Sequence, residues 1–215
     1  MTSSYFLDVS LLVKSSIGLG TERQEMTTTI ALVPISIEEK DEKNIFDPLT
    51  IHLASIFFDA SITILTDQSQ LDSFRVLFNE QRNQLNSDKL LHWLATSIVN
   101  HIKSYDPGKT IILAICNIDA YSPGLNFVFG QASLTEGVAA IYLPRLRQEF
   151  YGLSANTSIF IERVLKEATH EVGHAFGLGH CPKQSCVMHF SNSLVDTDRK
   201  AKDFCIACSN KLHQK

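Results

Sequence analysis

The amino-acid sequence predicts an α/β fold in which strands and helices alternate along the chain. Short apolar runs rich in β-branched residues alternate with longer segments whose apolar residues recur every three or four positions. The chain has 215 residues, of which 44% are hydrophobic, so it can bury a sizeable core. These observations predict one domain, or one domain with a small appendage.

Five apolar runs predict the strands of this fold. Each run is apolar enough for a buried or half-buried strand, and residues that favour turns separate the runs. The third run is apolar almost throughout, which is typical of a central strand that is covered on both faces. The runs comprise residues 26–37, 62–66, 110–118, 127–132 and 137–143.

Three segments have the apolar periodicity of helices that lie on a core. Residues 156–158 offer candidate N-caps for the last of them, and Gly177 and Gly179 favour its end. The charged run at residues 38–43, just before the first helical segment, is interpreted as a solvated loop. The helical segments comprise residues 47–61, 88–103 and about 157–176.

The composition limits the classes of partner that we expect. The formal net charge of -4 disfavours nucleic-acid binding, because that function requires a concentrated excess of lysine and arginine. Asp8 and Lys14 interrupt the mildly apolar N-terminal stretch and no basic region precedes it, so neither a signal peptide nor a membrane span is expected. The sequence therefore predicts a cytoplasmic protein without nucleic-acid or membrane partners. Residues 1–25 are expected to form an N-terminal extension of unknown role.

The last predicted helix contains a pattern that is typical of a catalytic zinc site. His170 and His174 are four residues apart, so their imidazoles lie on one helix face at the separation that a single metal ion needs. Gly177 permits a sharp turn that brings His180 back as a third ligand. Three protein ligands leave one position open for water, on which the neighbouring Glu171 can act. The alternative, surface histidines on an amphipathic helix, is disfavoured by the additional glycine and histidine.

Four cysteines indicate a second metal site. Cys181 and Cys186 are close together in the sequence, and Cys205 and Cys208 form a C-x-x-C pair. Four thiolates in two such pairs are typical of a closed structural zinc site. The alternatives are redox-active thiols and small buried residues.

Other residues with chemical potential are interpreted as structural. Cys116 lies within the third apolar run and is expected to be a buried thiol. His52, His92 and His101 fall on predicted helical stretches without a partner motif. His189 is expected to be a solvated or packed histidine.

These motifs resemble those of the archaemetzincins, which are zinc peptidases of the metzincin type. The run HEVGHAFGLGHC, the following PKQSCVM and the later CIAC match the extended pattern of that family, and the resemblance is specific from about Thr110 to Cys208. It implies a catalytic zinc and a structural zinc, hence two zinc ions per chain. The residues that match the family pattern are His170, Glu171, His174, Gly177, His180, Cys181, Cys186, Met188, Cys205 and Cys208.

The resemblance also implies an architecture. A twisted, mostly parallel five-stranded sheet would pack on a backing helix and on the active-site helix, with residues 127–132 as an antiparallel edge strand above the cleft. Residues 26–180 would form the catalytic part, and residues 181–215 a small zinc-stapled C-terminal subdomain. Met188 would lie in a tight turn beneath the zinc, and the alternative is an ordinary core methionine.

Two classes of function follow from these observations. The favoured one is a zinc metallopeptidase, either an aminopeptidase or a protease of small peptides. In that reaction Glu171 would take a proton from zinc-bound water and deliver it to the departing amine. The alternative is a zinc-stabilised peptide-binding protein with little or no turnover, although a pure binder has no need of Glu171. The expected partner in both cases is a peptide or protein, and the oligomeric state is not indicated.

Overall fold

The computed structural model describes residues 28–65, 74–102, 105–106 and 108–212. The predicted extension at residues 1–25 lies outside the described residues. The strands are β1 Thr28–Ile35, β2 Ala60–Ile64, β3 Phe78–Asn79, β4 Gln84–Asn86, β5 Thr110–Cys116, β6 Ala120–Tyr121, β7 Gly130–Ser133 and β8 Val138–Tyr142. The α-helices are α1 Glu39–Ile56, α2 Ser87–Thr96, α3 Thr157–Ala175, α4 Leu194–Arg199 and α5 Ile206–Leu212. None of the helices in these ranges is long and apolar enough to cross a membrane.

Five strands form one sheet in the order β2-β1-β5-β8-β7. The first four strands in this order run parallel to one another, and β7 runs antiparallel to β8 at the edge of the sheet. All five predicted strands are present in this sheet, so the α/β fold with a mostly parallel five-stranded sheet is confirmed. The strand β7 begins three residues later than the predicted edge strand, because residues 127–129 belong to the loop that leads into it.

Several features of the fold differ from the sequence predictions. The predicted helix at residues 47–61 ends at Ile56, because residues 60–61 belong to β2, and the one at residues 88–103 ends at Thr96. The charged run at residues 38–43 is not a loop, because α1 begins at Glu39 and has Glu39, Asp41 and Glu42 in its first turn. Acidic side chains favour a helix N-terminus through the helix dipole, which explains why this polar run is helical. A second sheet, of order β3-β4-β6, was not predicted. Its strands have only two or three residues, too few to give a periodic pattern.

The five-stranded sheet separates two hydrophobic clusters. Side chains of β5 alternate between them, as expected for a strand that is covered on both faces. Ile111, Leu113 and Ile115 contact the cluster that contains residues of α1 and α3. Ile112 and Cys116 contact the opposite cluster, which contains residues of α2, and Cys116 is fully buried as expected.

Among the described residues α3 is the longest helix, and it lies against the sheet and α1. It begins where the side chain of Asn156 accepts a hydrogen bond from the N–H of Ile159, which is one of the N-caps that the sequence offered. Val164, Ala168 and Val172 on one face are fully buried in the larger hydrophobic cluster. The buried face of the helix therefore fixes its position on the core, up to the turns that carry the histidines.

Candidate metal centre and active site

Three histidines converge at the C-terminal end of α3. His170 and His174 lie one helical turn apart, and His180 follows the end of the helix. Gly177 has φ 85, a left-handed conformation that favours glycine, and its N–H donates to the carbonyl of His174 at 2.7 Å. The reversal at this glycine brings the metal-binding nitrogens of all three histidines within 4.8 Å of one another.

The protonation of two of these histidines can be read from their hydrogen bonds. Nδ1 of His170 donates to the carbonyl of Val187, and Nδ1 of His174 donates to the carbonyl of Leu178, each at 2.7 Å. A carbonyl oxygen only accepts, so both rings carry their proton on Nδ1 and present an Nε2 lone pair. These Nε2 atoms lie 3.1 Å apart, where two lone pairs repel unless a cation lies between them. A tetrahedral zinc ion separates two ligand nitrogens by about 3.3 Å, so this geometry fits zinc.

Glu171 lies beside the first histidine and is only 5% exposed. Burial raises the pKa of its carboxyl well above the ordinary value, and the negative charge of Glu167 raises it further, whereas Lys200 lowers it. The carboxylate lies directly against the strand β7. A Cβ built at Gly130 would be 2.5 Å from Oε1 of Glu171, so a glycine is the residue that permits this approach.

Gly130 was not predicted as part of the site. The sequence offered one signal, since an isolated glycine inside a strand pattern indicates a close approach of another group. It could not show which group approaches, because Gly130 and Glu171 lie on different elements.

Met188 packs against the backbone of α3 between the two helical histidines. It is fully buried, and a Cβ built at Gly173 would lie 2.6 Å from its sulfur. The carbonyl of Met188 accepts a hydrogen bond from the N–H of Cys181 at 2.8 Å. This hydrogen bond connects Cys181, which follows the third histidine, to the segment of Met188 that packs against α3.

The four cysteines form a second cluster. Their sulfur atoms all lie within 4.8 Å of one another, and those of Cys181 and Cys205 are 3.8 Å apart. A tetrahedral zinc ion separates two thiolate sulfurs by about 3.8 Å, and all of these thiols are free of disulfides. The backbone N–H of Cys208 is the main cause that lowers the pKa of Cys205 to about 7, which favours the thiolate that binds metal. These four residues could therefore hold a second ion.

The two groups of candidate ligands are joined at two places in the chain. His180 and Cys181 are consecutive residues, so one peptide bond links a histidine of the first group to a cysteine of the second. Cys186 is followed by Val187, whose carbonyl orients His170. A displacement of the cysteine cluster would therefore reach two of the three histidines.

Three polar contacts, none of them predicted, connect the region of α4 to the helix that bears the histidines. The ammonium of Lys200 lies 3.0 Å from a carboxylate oxygen of Glu167, and the two side chains are 1% and 4% exposed. The two groups form an ion pair, but their angles do not fit a hydrogen bond. Thr197 donates to the same oxygen at 3.2 Å. Arg163 donates two hydrogen bonds of 2.7 Å to Asp198. The partners are far apart in the sequence, and no local spacing connects them.

Two further histidines lie near the site without joining the groups of candidate ligands found among the described residues. His52 is buried and donates from Nε2 to the hydroxyl of Thr169 at 3.0 Å, because that hydroxyl donates its own proton to the carbonyl of Leu165. His189 donates from Nδ1 to the carbonyl of Cys181 at 2.9 Å. Both side chains therefore make hydrogen bonds of the kind expected for structural histidines.

Comparison with known proteins identifies the family. Residues 70–214 match the family model described as peptidase family M54, which spans more than half of the chain. The chain belongs to peptidase family M54, the archaemetzincin family. An archaemetzincin from Sulfolobus acidocaldarius is 47% identical over 137 residues, which are 64% of this chain and 73% of that protein. The resemblance inferred from the histidine and cysteine motifs is thus confirmed.

Solved structures of archaemetzincins and related peptidases have the same fold. The crystal structure of archaemetzincin from Methanopyrus kandleri superposes with a TM-score of 0.72 at 31% identity and covers 90% of this chain and 98% of that chain. A zinc-dependent peptidase from Methanocorpusculum labreanum superposes with a TM-score of 0.72 at 30% identity and covers 85% and 99%. As a member of this family, the chain is a zinc metallopeptidase that acts on peptides or proteins.

Proposed function

We propose that the chain hydrolyses peptide bonds with a zinc ion held by His170, His174 and His180 and with Glu171 as the general base. The observation that carries this proposal is the buried carboxylate of Glu171, which lies between the first histidine and the open edge of the sheet. A peptide-binding protein without turnover would not require a buried acid there, because an unpaired buried carboxylate lowers stability.

His170 and His174 would hold the ion through their Nε2 atoms, and His180 would supply the third nitrogen. Zinc in a site with three nitrogen ligands supplies a Lewis acid that polarises a carbonyl group and lowers the pKa of water. The hydrogen bonds from Nδ1 of His170 and His174 to backbone carbonyls fix the ring orientations before the metal binds. His180 is exposed, which supports access of a substrate from that side.

Glu171 would move the protons of the reaction. Burial raises the pKa of its carboxyl, so the group can accept a proton at neutral pH more readily than an exposed glutamate. It would take a proton from the attacking water and then donate it to the departing amine. Both transfers occur on one carboxylate, which requires that its position relative to the substrate be fixed.

The edge strand β7 offers a docking surface for the peptide. The N–H of Tyr142 donates to the carbonyl of Phe129 at 2.8 Å, so these two residues form a hydrogen-bonded antiparallel pair. Because such pairs alternate, the N–H and carbonyl groups of Gly130 and Ala132 point away from β8 toward the free edge. An extended peptide can pair with these groups and would then lie beside Glu171.

The cysteine cluster would hold a second, structural zinc ion, giving two zinc ions per chain. With four thiolates this site has no open position for a substrate. Gly177 and Met188 would support the catalytic site by turning the chain toward His180 and by packing beneath α3. We assign residues 26–180 to the catalytic part and residues 181–215 to a C-terminal subdomain that this second zinc stabilises.

A peptide-library digest with Glu171→Ala beside the wild type tests this function. The variant should keep two zinc ions per chain and lose activity by about 10²-fold or more, because proton transfer is removed while the ligands stay. Glu162→Ala is the matched control, since Glu162 lies on the same helix but is largely exposed and pairs with Lys202. Mass analysis of the products distinguishes removal of N-terminal residues, as in an aminopeptidase, from internal cleavage.

Equal activity of Glu171→Ala and the wild type would disprove the role of Glu171. Wild-type protein that binds library peptides without cleaving them would instead support the peptide-binding alternative.

A further inference from the structure

We propose that Gly130 is a positioning residue, which sets the place of the Glu171 carboxylate relative to the strand edge where the peptide docks. This inference rests on the proposed function of Glu171 and of the edge of β7.

The contact between Gly130 and Glu171 is closer than any side chain would allow. A Cβ at Gly130 would lie 2.5 Å from Oε1, 2.6 Å from Cγ and 2.8 Å from Cδ of Glu171, and real Cβ atoms essentially never approach other atoms within 3.0 Å. All three of the nearest atoms belong to this one side chain. The space that a methyl group would fill at position 130 is therefore the space that the carboxylate occupies.

The next residue on the same face of β7 shows the contrast. Side chains alternate along a strand, so positions 130 and 132 face the same side of the sheet. Ala132 packs against the larger hydrophobic cluster, so this face accepts a methyl group two residues from Gly130. The absence of a side chain at position 130 is thus a local feature of the contact with Glu171.

The strand has little freedom to move away from the carboxylate. On its other face, the amide of Gln131 donates to the carboxylate of Asp88 at 2.7 Å, and the same oxygen accepts from Ser122 at 2.8 Å. Asp88 lies in the first turn of α2, so the strand is attached to a helix on the opposite side of the sheet. Because the backbone of β7 also pairs with β8 whereas the atoms met at position 130 belong to a side chain, we expect a side chain there to displace Glu171 rather than the strand.

Gly130 also faces the substrate through its backbone. Its N–H and carbonyl point toward the free edge, as the alternation of hydrogen-bonded pairs requires. Gly130 would thus pair with the peptide through its backbone and also contact the side chain of Glu171. Gly130 thereby fixes the distance between the docked peptide and the proton acceptor.

Kinetics of Gly130→Ala test the catalytic consequence. We expect kcat to fall at least tenfold, because displacement of a base by about 1 Å can reduce rates up to about 10²-fold. KM should stay within about threefold of the wild type and zinc content should be unchanged, since backbone pairing and the histidines are retained. Gly108→Ala is the matched control, because a Cβ there makes only an ordinary contact of 3.6 Å with Asp106. A kcat of Gly130→Ala within twofold of the wild type would overturn the proposal.

Thermal unfolding of the four proteins of a double-mutant cycle tests the contact independently of activity. Glu171→Ala removes all three atoms that a Cβ at position 130 would meet. Gly130→Ala should therefore lower Tm by about 4 °C or more in the wild type and by much less in Glu171→Ala. Equal shifts in both backgrounds would overturn the proposal. A Tm shift that depends on Glu171, combined with full activity of Glu171→Ala, would confirm the contact between the two residues. It would nevertheless refute the role of Glu171 as base, and with it the positioning role of Gly130.

Discussion

The three-histidine group and the four-cysteine group lie side by side, but they are built in opposite ways. The histidines are presented mainly by α3, whose buried face belongs to the larger hydrophobic cluster. The cysteines lie in a region whose helices α4 and α5 have only six and seven residues. The small cluster around them contains three other buried apolar residues, Leu178, Val187 and Met188, and the partly buried Phe204 and Leu212 pack against it.

This difference indicates that the histidine group depends on the fold, whereas the cysteine group supports it. A core of a few apolar side chains contributes little stability, and regions of this kind are usually held by a metal or by disulfides. Helix α3 has its own large core, so the histidines can be in place without a metal. The cysteine group is therefore expected to maintain the C-terminal region, and the histidine group is expected to use the fold for chemistry.

Loss of one cysteine ligand should have the largest effect. Cys205→Ser is expected to lose the proposed structural zinc and to unfold the region around α4 and α5, since such binding supplies roughly 10–16 kcal/mol in small zinc domains. The affinity of the histidine group for zinc should also fall, because Cys181 adjoins His180 and Cys186 precedes the carbonyl that orients His170. Metal analysis, Tm and peptidase activity measure these three changes.

The matched control for this variant is Cys116→Ser. It makes the same exchange at a buried thiol of β5, outside the cysteine cluster, and should keep two zinc ions per chain. If Cys205→Ser kept the zinc affinity of the histidine group and full activity, the proposed coupling between the two groups would be wrong.

Loss of one histidine ligand should remove activity with a smaller loss of stability. His174→Ala is expected to reduce zinc from two ions to one and to lower activity to background, because two nitrogens hold zinc poorly. Its Tm should fall less than that of Cys205→Ser, since α3 is held by its apolar face. His92→Ala, an exposed histidine on α2, is the control. A Tm loss in His174→Ala as large as that in Cys205→Ser would contradict the contrast between the two groups.

The ion pair that joins the two regions predicts an intermediate effect on stability. Lys200→Met leaves the buried carboxylate of Glu167 without its cationic partner, which should lower the free energy of unfolding by about 3–5 kcal/mol. The double variant Lys200→Met with Glu167→Gln removes both charges and keeps an acceptor for Thr197, so it should recover most of that loss. Denaturant unfolding measures both values. A double variant as unstable as Lys200→Met alone would show that the charge pairing is not the cause.

The contrast between local and long-range features explains how much the sequence could predict. The histidines follow one short spacing and the cysteines form two short-spaced pairs, so both groups were predictable, and the structure brings each of them together. Four strands of the main sheet were predictable because each is largely an apolar run, whereas β7 was placed three residues too early because its apolar neighbours, residues 127–129, precede it.

The contacts that connect these parts were not predictable. Glu167 and Lys200 pair across two helical regions, and Gly130 meets Glu171 across strand and helix, so neither contact leaves a periodic pattern in the sequence. The start of α1 at Glu39 was missed because charged residues alone give no apolar period, although their acidic character suits a helix N-terminus.

The smallest predicted effect concerns a histidine outside both groups. Burial lowers the pKa of His52 below its ordinary value of about 6.5, so the unfolded chain binds a proton more readily than the folded chain. Its contribution to stability is present above about pH 6.5 and is lost as the pH falls through the folded-state pKa. His52→Gln keeps a donor for Thr169 and should make the decline of unfolding free energy with acid shallower, by up to about 1.4 kcal/mol per pH unit, while zinc content stays at the wild-type value. Identical slopes for the two proteins between pH 6.5 and 5, measured by denaturant unfolding, would contradict a buried neutral His52.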